Sequence, residues 1–171
     1  MGDEVTVRRC TEDDLADLER TESPGAGITR SLLRRQATGA IVFGAAWRHG
    51  LPLGSVVVDL RSDHAPELKH LHVLESARHA GVGTALCAWA EHQMSQKGFA
   101  RLYLGVGLQN PGARRLYERL GFRPVGTTTT TTYQYADESG HQQWATETDE
   151  ILVKILPERV APQSRSRCDR A

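Results

Sequence analysis

The chain has 171 residues, of which 39% are hydrophobic and 25% are charged, and its 21 basic side chains equal its 21 acidic ones. This composition predicts one globular domain with a substantial core and gives no sign of a nucleic-acid binder, and no apolar run approaches the roughly 20 residues that span a membrane. Three widely spaced cysteines, Cys10, Cys87 and Cys168, argue against a disulfide framework and favour a reducing, cytoplasmic location.

Hydrophobic periodicity, helix caps and turn residues divide the chain into strands and helices. In chain order, they predict a strand at 5–8, a helix capped by Thr11, a helix at 31–36, strands at 41–47, 55–60 and 67–73, a helix at 81–97, a strand at 101–106, a helix capped by Asn110, and strands at 127–135 and 151–156. This order predicts an α/β fold with a mixed sheet, which we assign to residues 4–156. Residues 157–171 are rich in Arg, Ser, Pro and Gln, which predicts a disordered polar and basic tail.

A glycine-punctuated turn opens the predicted helix at 81–97, in the segment Arg78–Thr84, which reads R-H-A-G-V-G-T. The first N–H groups of a helix have no partner within it, and the helix dipole adds positive potential at that end. Glycine lacks the Cβ atom that would keep a pyrophosphate away from the backbone. The segment therefore predicts a site for a phosphorylated cofactor.

Two familiar phosphate-binding loops do not fit this segment. The nucleotide-triphosphate loop requires Lys and then Ser or Thr after its last glycine, whereas Thr84 follows Gly83 directly. The dinucleotide fingerprint requires a small residue where this chain has Leu86, and an acidic residue about 20 positions later, where residues 101–104 read R-L-Y-L. Residues 78–83 fit a third pattern, Arg/Gln-x-x-Gly-x-Gly/Ala at a strand-to-helix turn.

Two further segments accompany this pattern in the chain. Residues 67–73 read E-L-K-H-L-H-V, and residues 110–122 read N-P-G-A-R-R-L-Y-E-R-L-G-F, which matches N-x-x-A-x-x-x-Y-x-x-x-G-F. Together, the three segments resemble motifs of the GCN5-related N-acetyltransferase (GNAT) superfamily, in the family's order, from Glu67 to Phe122. The resemblance implies the GNAT fold, a mixed and mostly antiparallel sheet splayed at its centre, with acetyl-CoA as the cofactor.

The resemblance also implies which residues hold the cofactor. The backbone N–H groups of the glycine-rich turn would contact the pyrophosphate, and the end of the fourth strand would pair with the pantetheine arm beside a β-bulge. The first residues of the following helix would add contacts. The implied cofactor-binding residues are Leu71, His72, Val73, Arg78, His79, Ala80, Gly81, Val82, Gly83, Thr84, Asn110, Ala113 and Tyr117.

Two residues are predicted to move protons. By resemblance, Tyr117 lies near the sulfur and protonates the departing thiolate, and Glu67 accepts a proton from the amine, directly or through water. A buried core tyrosine and a solvated strand-end glutamate are the structural alternatives. His70 and His72 are i, i+2 neighbours that are expected to face the same side, and either is a second candidate for the base. Two histidines without a third ligand do not predict a metal site.

The predicted activity is transfer of an acetyl group from acetyl-CoA directly to a primary amine. We expect the acceptor to be a small molecule because no additional domain is present to hold a protein. The alternatives are an acetyltransferase that acts on a protein amine and a non-catalytic acyl-CoA-binding or sensing module. The resemblance also implies that residues 21–36 and 136–149 form the acceptor pocket. The second segment carries acidic side chains that attract an ammonium ion, namely Asp137, Glu138, Glu147 and Asp149. The sequence leaves a homodimer open.

Overall fold

A computed structural model describes residues 4–137 and 139–158 of the chain. The described residues form one seven-stranded sheet in the order β1-β2-β3-β4-β5-β7-β6. The strands are β1 Thr6–Arg9, β2 Ile41–Arg48, β3 Leu51–Asp59, β4 Glu67–Val73, β5 Arg101–Gly107, β6 Arg123–Ala136 and β7 Gln142–Ile155. The helices are α1 Leu15–Glu19, α2 Ile28–Ala37, α3 Val82–Gln96 and α4 Pro111–Arg119. The predicted α/β class, mixed sheet and element order are confirmed.

Helices cover both faces of the sheet because the inner strands are apolar on both sides. In β2, Phe43 points into a cluster with Leu33 of α2, whereas Val42 joins a second cluster with Leu86 of α3. Tyr117 of α4 belongs to that second cluster. Helices α1 and α2 therefore lie on one face, and α3 and α4 lie on the other.

Three strands are longer than the sequence pattern predicts. β3 begins at Leu51 rather than at residue 55, so the turn from β2 is reduced to His49 and Gly50. β6 and β7, of 14 residues each, form a hairpin, and in its outer part, beyond Thr129, β7 pairs with β6 and not with β5. The segment 136–149, which was predicted as a loop between the last two strands, is thus mostly strand. Its alternation is hidden because both faces of the outer hairpin are exposed and polar, so no hydrophobic period marks it.

The centre of the sheet opens between β4 and β5. These two strands are parallel, and they pair only at Glu67 with Tyr103 and at Leu68 with Leu104. All other neighbouring strands are antiparallel. The implied splay is therefore present, and it leaves backbone groups of β4 beyond Leu68 unpaired on the β5 side.

A β-bulge on the other side of β4 accompanies this opening. Val57 pairs with Lys69 and Ser55 pairs with His72, so β4 has two residues where β3 has one. One of the extra residues, His70, has a φ of +50°, in the left-handed region that non-glycine residues seldom adopt. The bulge turns the end of β4 away from the regular ladder with β3. The family resemblance implied a bulge in this strand, and the sequence alone does not show it.

The last strand closes the core near the boundary that the sequence predicts for the domain. β7 ends at Ile155, and Leu156 is buried against the core that contains α3. The predicted tail begins at Pro157, and residues 159–171 lie outside the described residues, so the domain boundary stays a prediction.

Candidate active site

A cleft of about 800 Å³ lies where β4 diverges from β5, on the face that carries α3 and α4. It is lined by the end of β4, the turn before α3 and the first half of α4. Twelve of the thirteen predicted cofactor-binding residues line it, and only Ala80 does not. The three motifs, which are separated in sequence, thus meet in one cleft.

The glycine-rich turn exposes the N-terminus of α3 to this cleft. Gly81 is the N-cap residue with a φ of +78°, and no heavy atom outside its own neighbours lies within 4 Å of a Cβ placed on it. The N–H of Ala85 is the first to bond back to the Gly81 carbonyl, at 3.0 Å. The three N–H groups before it have no acceptor within the helix, so they are available to an anion.

Basic and amide side chains flank this helix terminus. Arg78 donates from Nε to the Val73 carbonyl at 3.3 Å, which holds its guanidinium at the end of β4. On α4, the Asn110 side-chain oxygen accepts the Ala113 N–H at 3.1 Å, so Asn110 is the N-cap that the sequence predicted. Pro111 occupies the first helical position, where a missing N–H costs nothing.

A second cavity of about 700 Å³ lies on the opposite face of the sheet. Its polar wall includes Glu67 and Lys69 of β4 and Glu147 and Asp149 of β7. Lys69 pairs with Val57, whose side chain belongs to the cluster under α1 and α2, so this wall lies on that face.

Tyr117 and Leu71 line both cavities, so the two meet through the gap between β4 and β5. Tyr117 is 8% exposed and packs edge-on against Phe122, with ring centroids 5.9 Å apart. Burial, with a smaller contribution from nearby Cys87, raises the pKa of the Tyr117 phenol. A neutral hydroxyl therefore stands at the junction, as a proton donor requires.

Two carboxylates approach this junction from different strands. Glu67 is 9% exposed and lies 3.3 Å from the Lys69 ammonium, so it is not a solvated strand-end residue. Asp149 lies on β7, and burial, followed by the charges of Glu147 and Glu67, raises the pKa of its carboxyl against the opposing charge of Lys69.

The comparisons with known proteins agree with this geometry. The sequence profile described as "Acetyltransferase (GNAT) family" matches residues 8–122, about two thirds of the chain. The chain belongs to the GNAT acetyltransferase family. No curated relative matches its sequence.

Solved GNAT structures share the whole fold at low identity. The ribosomal-protein-S18-alanine N-acetyltransferase from Escherichia coli is 20% identical with a TM-score of 0.64, over 94% of this chain and 98% of that one. PaiA N-acetyltransferase from Thermoplasma acidophilum, in complex with coenzyme A, is 22% identical with a TM-score of 0.62, over 89% and 99%. A phosphinothricin acetyltransferase from Sinorhizobium meliloti, in complex with acetyl-CoA, is 19% identical with a TM-score of 0.64, over 89% and 88%.

As a GNAT acetyltransferase, this chain is an enzyme that uses acetyl-CoA, and the cleft beside α3 fits that cofactor. A pyrophosphate needs unpaired backbone donors without steric cover, which Gly81 and the first turn of α3 provide. A pantetheine arm needs unpaired strand groups, which β4 offers beyond Leu68.

The bulge separates two residues that were expected to face the same side. His70 lines the second cavity, whereas His72 lines the cleft beside α3. Of the two segments predicted to form the acceptor pocket, 136–149 reaches the second cavity and 21–36 does not, and residues 61–64 line it as well. That loop carries no catalytic motif in the sequence. The position of the acceptor pocket stays a prediction. Glu138 lies outside the described residues.

Other kinds of site find no support in the part of the chain that the structure covers. Among residues 4–137 and 139–158, there is no group of three or more His, Cys, Asp or Glu side chains arranged to hold a metal ion. In the same residues, no helix has the length and hydropathy to cross a membrane.

Proposed function

We propose that this GNAT enzyme transfers an acetyl group directly from acetyl-CoA to the primary amine of a small molecule. The observation that carries the proposal is the junction at Tyr117 and Leu71, where the cleft beside α3 meets the cavity on the opposite face of the sheet. In this proposal the first is the cofactor cleft and the second is the acceptor cavity. A cofactor that enters from the α3 side and an amine that enters from the α1 side then meet without a carrier residue.

When bound, acetyl-CoA supplies an electrophilic thioester carbonyl and a thiolate leaving group. In the proposed assignment, the N–H groups of residues 81–84 hold the pyrophosphate beside Arg78 and His79, and the backbone of residues 71–73 holds the pantetheine arm. A backbone N–H in that stretch polarises the acetyl carbonyl, and Asn110 and Ala113 close the other side of the cleft.

Proton transfer falls to side chains at the junction. Tyr117 gives its hydroxyl proton to the sulfur; among the described residues that hydroxyl has no hydrogen-bond partner that would withhold it. Glu67 accepts a proton from the amine, directly or through water, and its carboxylate also attracts the incoming ammonium.

A covalent acetyl-cysteine route has no support in the described residues. Cys87 lies on the inner side of α3, fully buried in the core, and burial raises the pKa of its thiol to about 12. Cys10 is buried under α2, and burial likewise raises its thiol pKa to about 12. A thiol nucleophile needs a lowered pKa and access to the substrate, and neither cysteine has them.

The proposal is tested by measuring CoA release from acetyl-CoA with a panel of acceptors: an aliphatic monoamine, a diamine, amino acids and a peptide with a free N-terminus. We expect release with at least one small amine, intersecting double-reciprocal plots, and a product acetylated on nitrogen by mass spectrometry. Release with the peptide alone would make a protein amine the acceptor. Binding of acetyl-CoA without release with any amine would favour the sensing module. The cytoplasmic location and a homodimer remain predictions.

A further inference from the structure

The Asp149 side chain lies over β5, in the space left by two glycines that have no side chain. Asp149 pairs in register with Gly107 of β5 and with Thr129 of β6. A Cβ placed on Gly105 would lie 3.2 Å from both the Cβ and Oδ2 atoms of Asp149, and one placed on Gly107 would lie 3.6 Å from Oδ1. The Asp149 carboxylate therefore lies over these two glycines, and any side chain at position 105 would crowd it.

The position of this carboxylate is that of a substrate-facing group. Asp149, Gly105 and Tyr117 line the same cavity, and Tyr117 also lines the cofactor cleft. Glu67 is paired with Lys69 at 3.3 Å, and Glu147 accepts the Tyr133 hydroxyl at 2.8 Å. Among the described residues, the Asp149 side chain has no hydrogen-bond or ion-pair partner, so its carboxylate is available to a ligand.

The proposed reaction removes two protons from the attacking nitrogen. An amine that arrives as an ammonium ion loses one proton before its lone pair can attack, and a second after the nitrogen–carbon bond forms. Glu67 accounts for one of them. A second carboxylate on the same wall of the cavity can take the other.

We propose that Asp149 is a catalytic residue that takes the first proton from the acceptor ammonium. This inference rests on the proposed function. The ammonium gives H⁺ to the Asp149 carboxylate, and the freed lone pair forms the nitrogen–carbon bond as the carbon–sulfur bond breaks. The sulfur takes the Tyr117 proton, Glu67 takes the second nitrogen proton, and solvent restores all three side chains.

The surroundings of Asp149 suit it to the first step. The charged groups that act on it are Glu147 on its own strand and Glu67 and Lys69 on β4. Tyr117 faces the same cavity from α4, and Arg61, Asp63 and His64 line it from their loop, whereas β6 carries no charge from Thr127 to Ala136. A carboxylate with a raised pKa is a better match to an ammonium than one held at its ordinary value.

The test compares Asp149→Asn with Asp13→Asn, the same chemical change at an exposed residue that lines neither cavity. For Asp149→Asn, we expect kcat, and with it kcat/KM for the amine, to fall about a hundredfold or more at neutral pH, with acetyl-CoA affinity by calorimetry unchanged. The deficit should shrink as pH rises, because solution then supplies the amine already deprotonated. Asp13→Asn should leave these parameters unchanged.

Gly105→Ala provides a second variant, which retains the Asp149 carboxylate but changes its position. Its methyl group displaces Asp149, so we expect kcat to fall about tenfold, with little further loss when Asp149→Asn is added. A wild-type rate and pH profile for Asp149→Asn, or a rise in KM alone, would overturn the inference and leave the proposed function intact. A wild-type enzyme that binds acetyl-CoA and acetylates no amine would overturn both.

Discussion

The cofactor cleft and the acceptor cavity of this enzyme are built in different ways. The cleft depends mainly on backbone groups from short contiguous segments: residues 71–73, the turn 78–84 and the start of α4. The cavity depends on single side chains from β4, α4, β6, β7 and the loop 61–64. Backbone recognition requires glycines and caps at fixed spacing, which a sequence displays, whereas side chains gathered from distant strands leave no local pattern.

The largest effect is expected when a charge is placed in the cofactor cleft, which is built mainly from backbone groups. Gly83 lies in the cleft, where an added Cβ would be 3.7 Å from Leu116 and 3.8 Å from Val73. We expect Gly83→Glu to weaken acetyl-CoA binding about a thousandfold, since a carboxylate facing phosphates costs several kcal/mol. Calorimetry measures the affinity.

Gly83→Ala is the matched control for this charge. Its methyl group makes only ordinary van der Waals contacts, and Gly83 does not have a positive φ, so the fold accepts it. We expect its acetyl-CoA affinity to stay within about tenfold of wild type. Micromolar binding by the Gly83→Glu variant would show that the phosphates lie elsewhere.

The junction residue is the next most sensitive position. Tyr117→Phe removes only the hydroxyl from a ring that is otherwise buried against Phe122. We expect kcat to fall about ten- to a thousandfold while acetyl-CoA affinity stays nearly unchanged, within the range for lost acid–base assistance. An unaltered kcat at saturating substrates would leave Tyr117 as a core residue only.

The extent to which the sequence predicted the two halves follows from how each is built. Arg78, Gly81, Gly83 and Asn110 carry spacing that requires a turn, a helix start and a cap, and the structure brings them into one cleft. The sequence predicts too short a hairpin for β6 and β7. Thr127–Thr132 alternates between two solvent-exposed faces, so no apolar period marks the length of the strands.

The acceptor side was also obscured by a local backbone irregularity. Period-two alternation places His70 and His72 on one side of β4, but the bulge at His70 adds a residue and separates them. The role of Gly105 was equally hidden, because its purpose is to leave room for Asp149, which is 44 positions away. One signal was available: two glycines alternate with Val106 in a strand, where glycine often marks a close approach.

A smaller effect is expected at Glu67, because Asp149 is proposed to take the other proton from the amine. Glu67→Gln keeps the shape of the side chain but removes the base and leaves Lys69 without its partner at 3.3 Å. We expect kcat/KM for the amine to fall about ten- to a hundredfold, with acetyl-CoA affinity unchanged. The rate of CoA release against amine concentration measures it.

Lys69→Met separates the two consequences of that change, because it removes the cation and keeps the Glu67 carboxylate. If the carboxylate is what matters, Lys69→Met should retain more activity than Glu67→Gln. Equal losses in the two variants would mean that the ion pair positions the cavity wall and that Glu67 takes no proton.

The smallest effect concerns the outer hairpin, which extends the acceptor wall beyond the junction. Tyr133 donates its hydroxyl hydrogen to Glu147 at 2.8 Å, and its ring lies 6.4 Å from that of Tyr135. Tyr133→Phe removes this exposed hydrogen bond, whose loss corresponds to a change of about two- to fivefold. We expect the KM of the amine to rise by that factor, with kcat preserved. The Glu147 carboxylate is still present, but the Tyr133 hydroxyl no longer holds it. Tyr135→Phe, whose ring is on the same face but outside the cavity, is the control. A fall in kcat with KM unchanged would instead mean that the hairpin takes part in the chemical step. The side chains of the acceptor cavity would then do more than recognise the amine, and the contrast with the cofactor cleft would no longer hold.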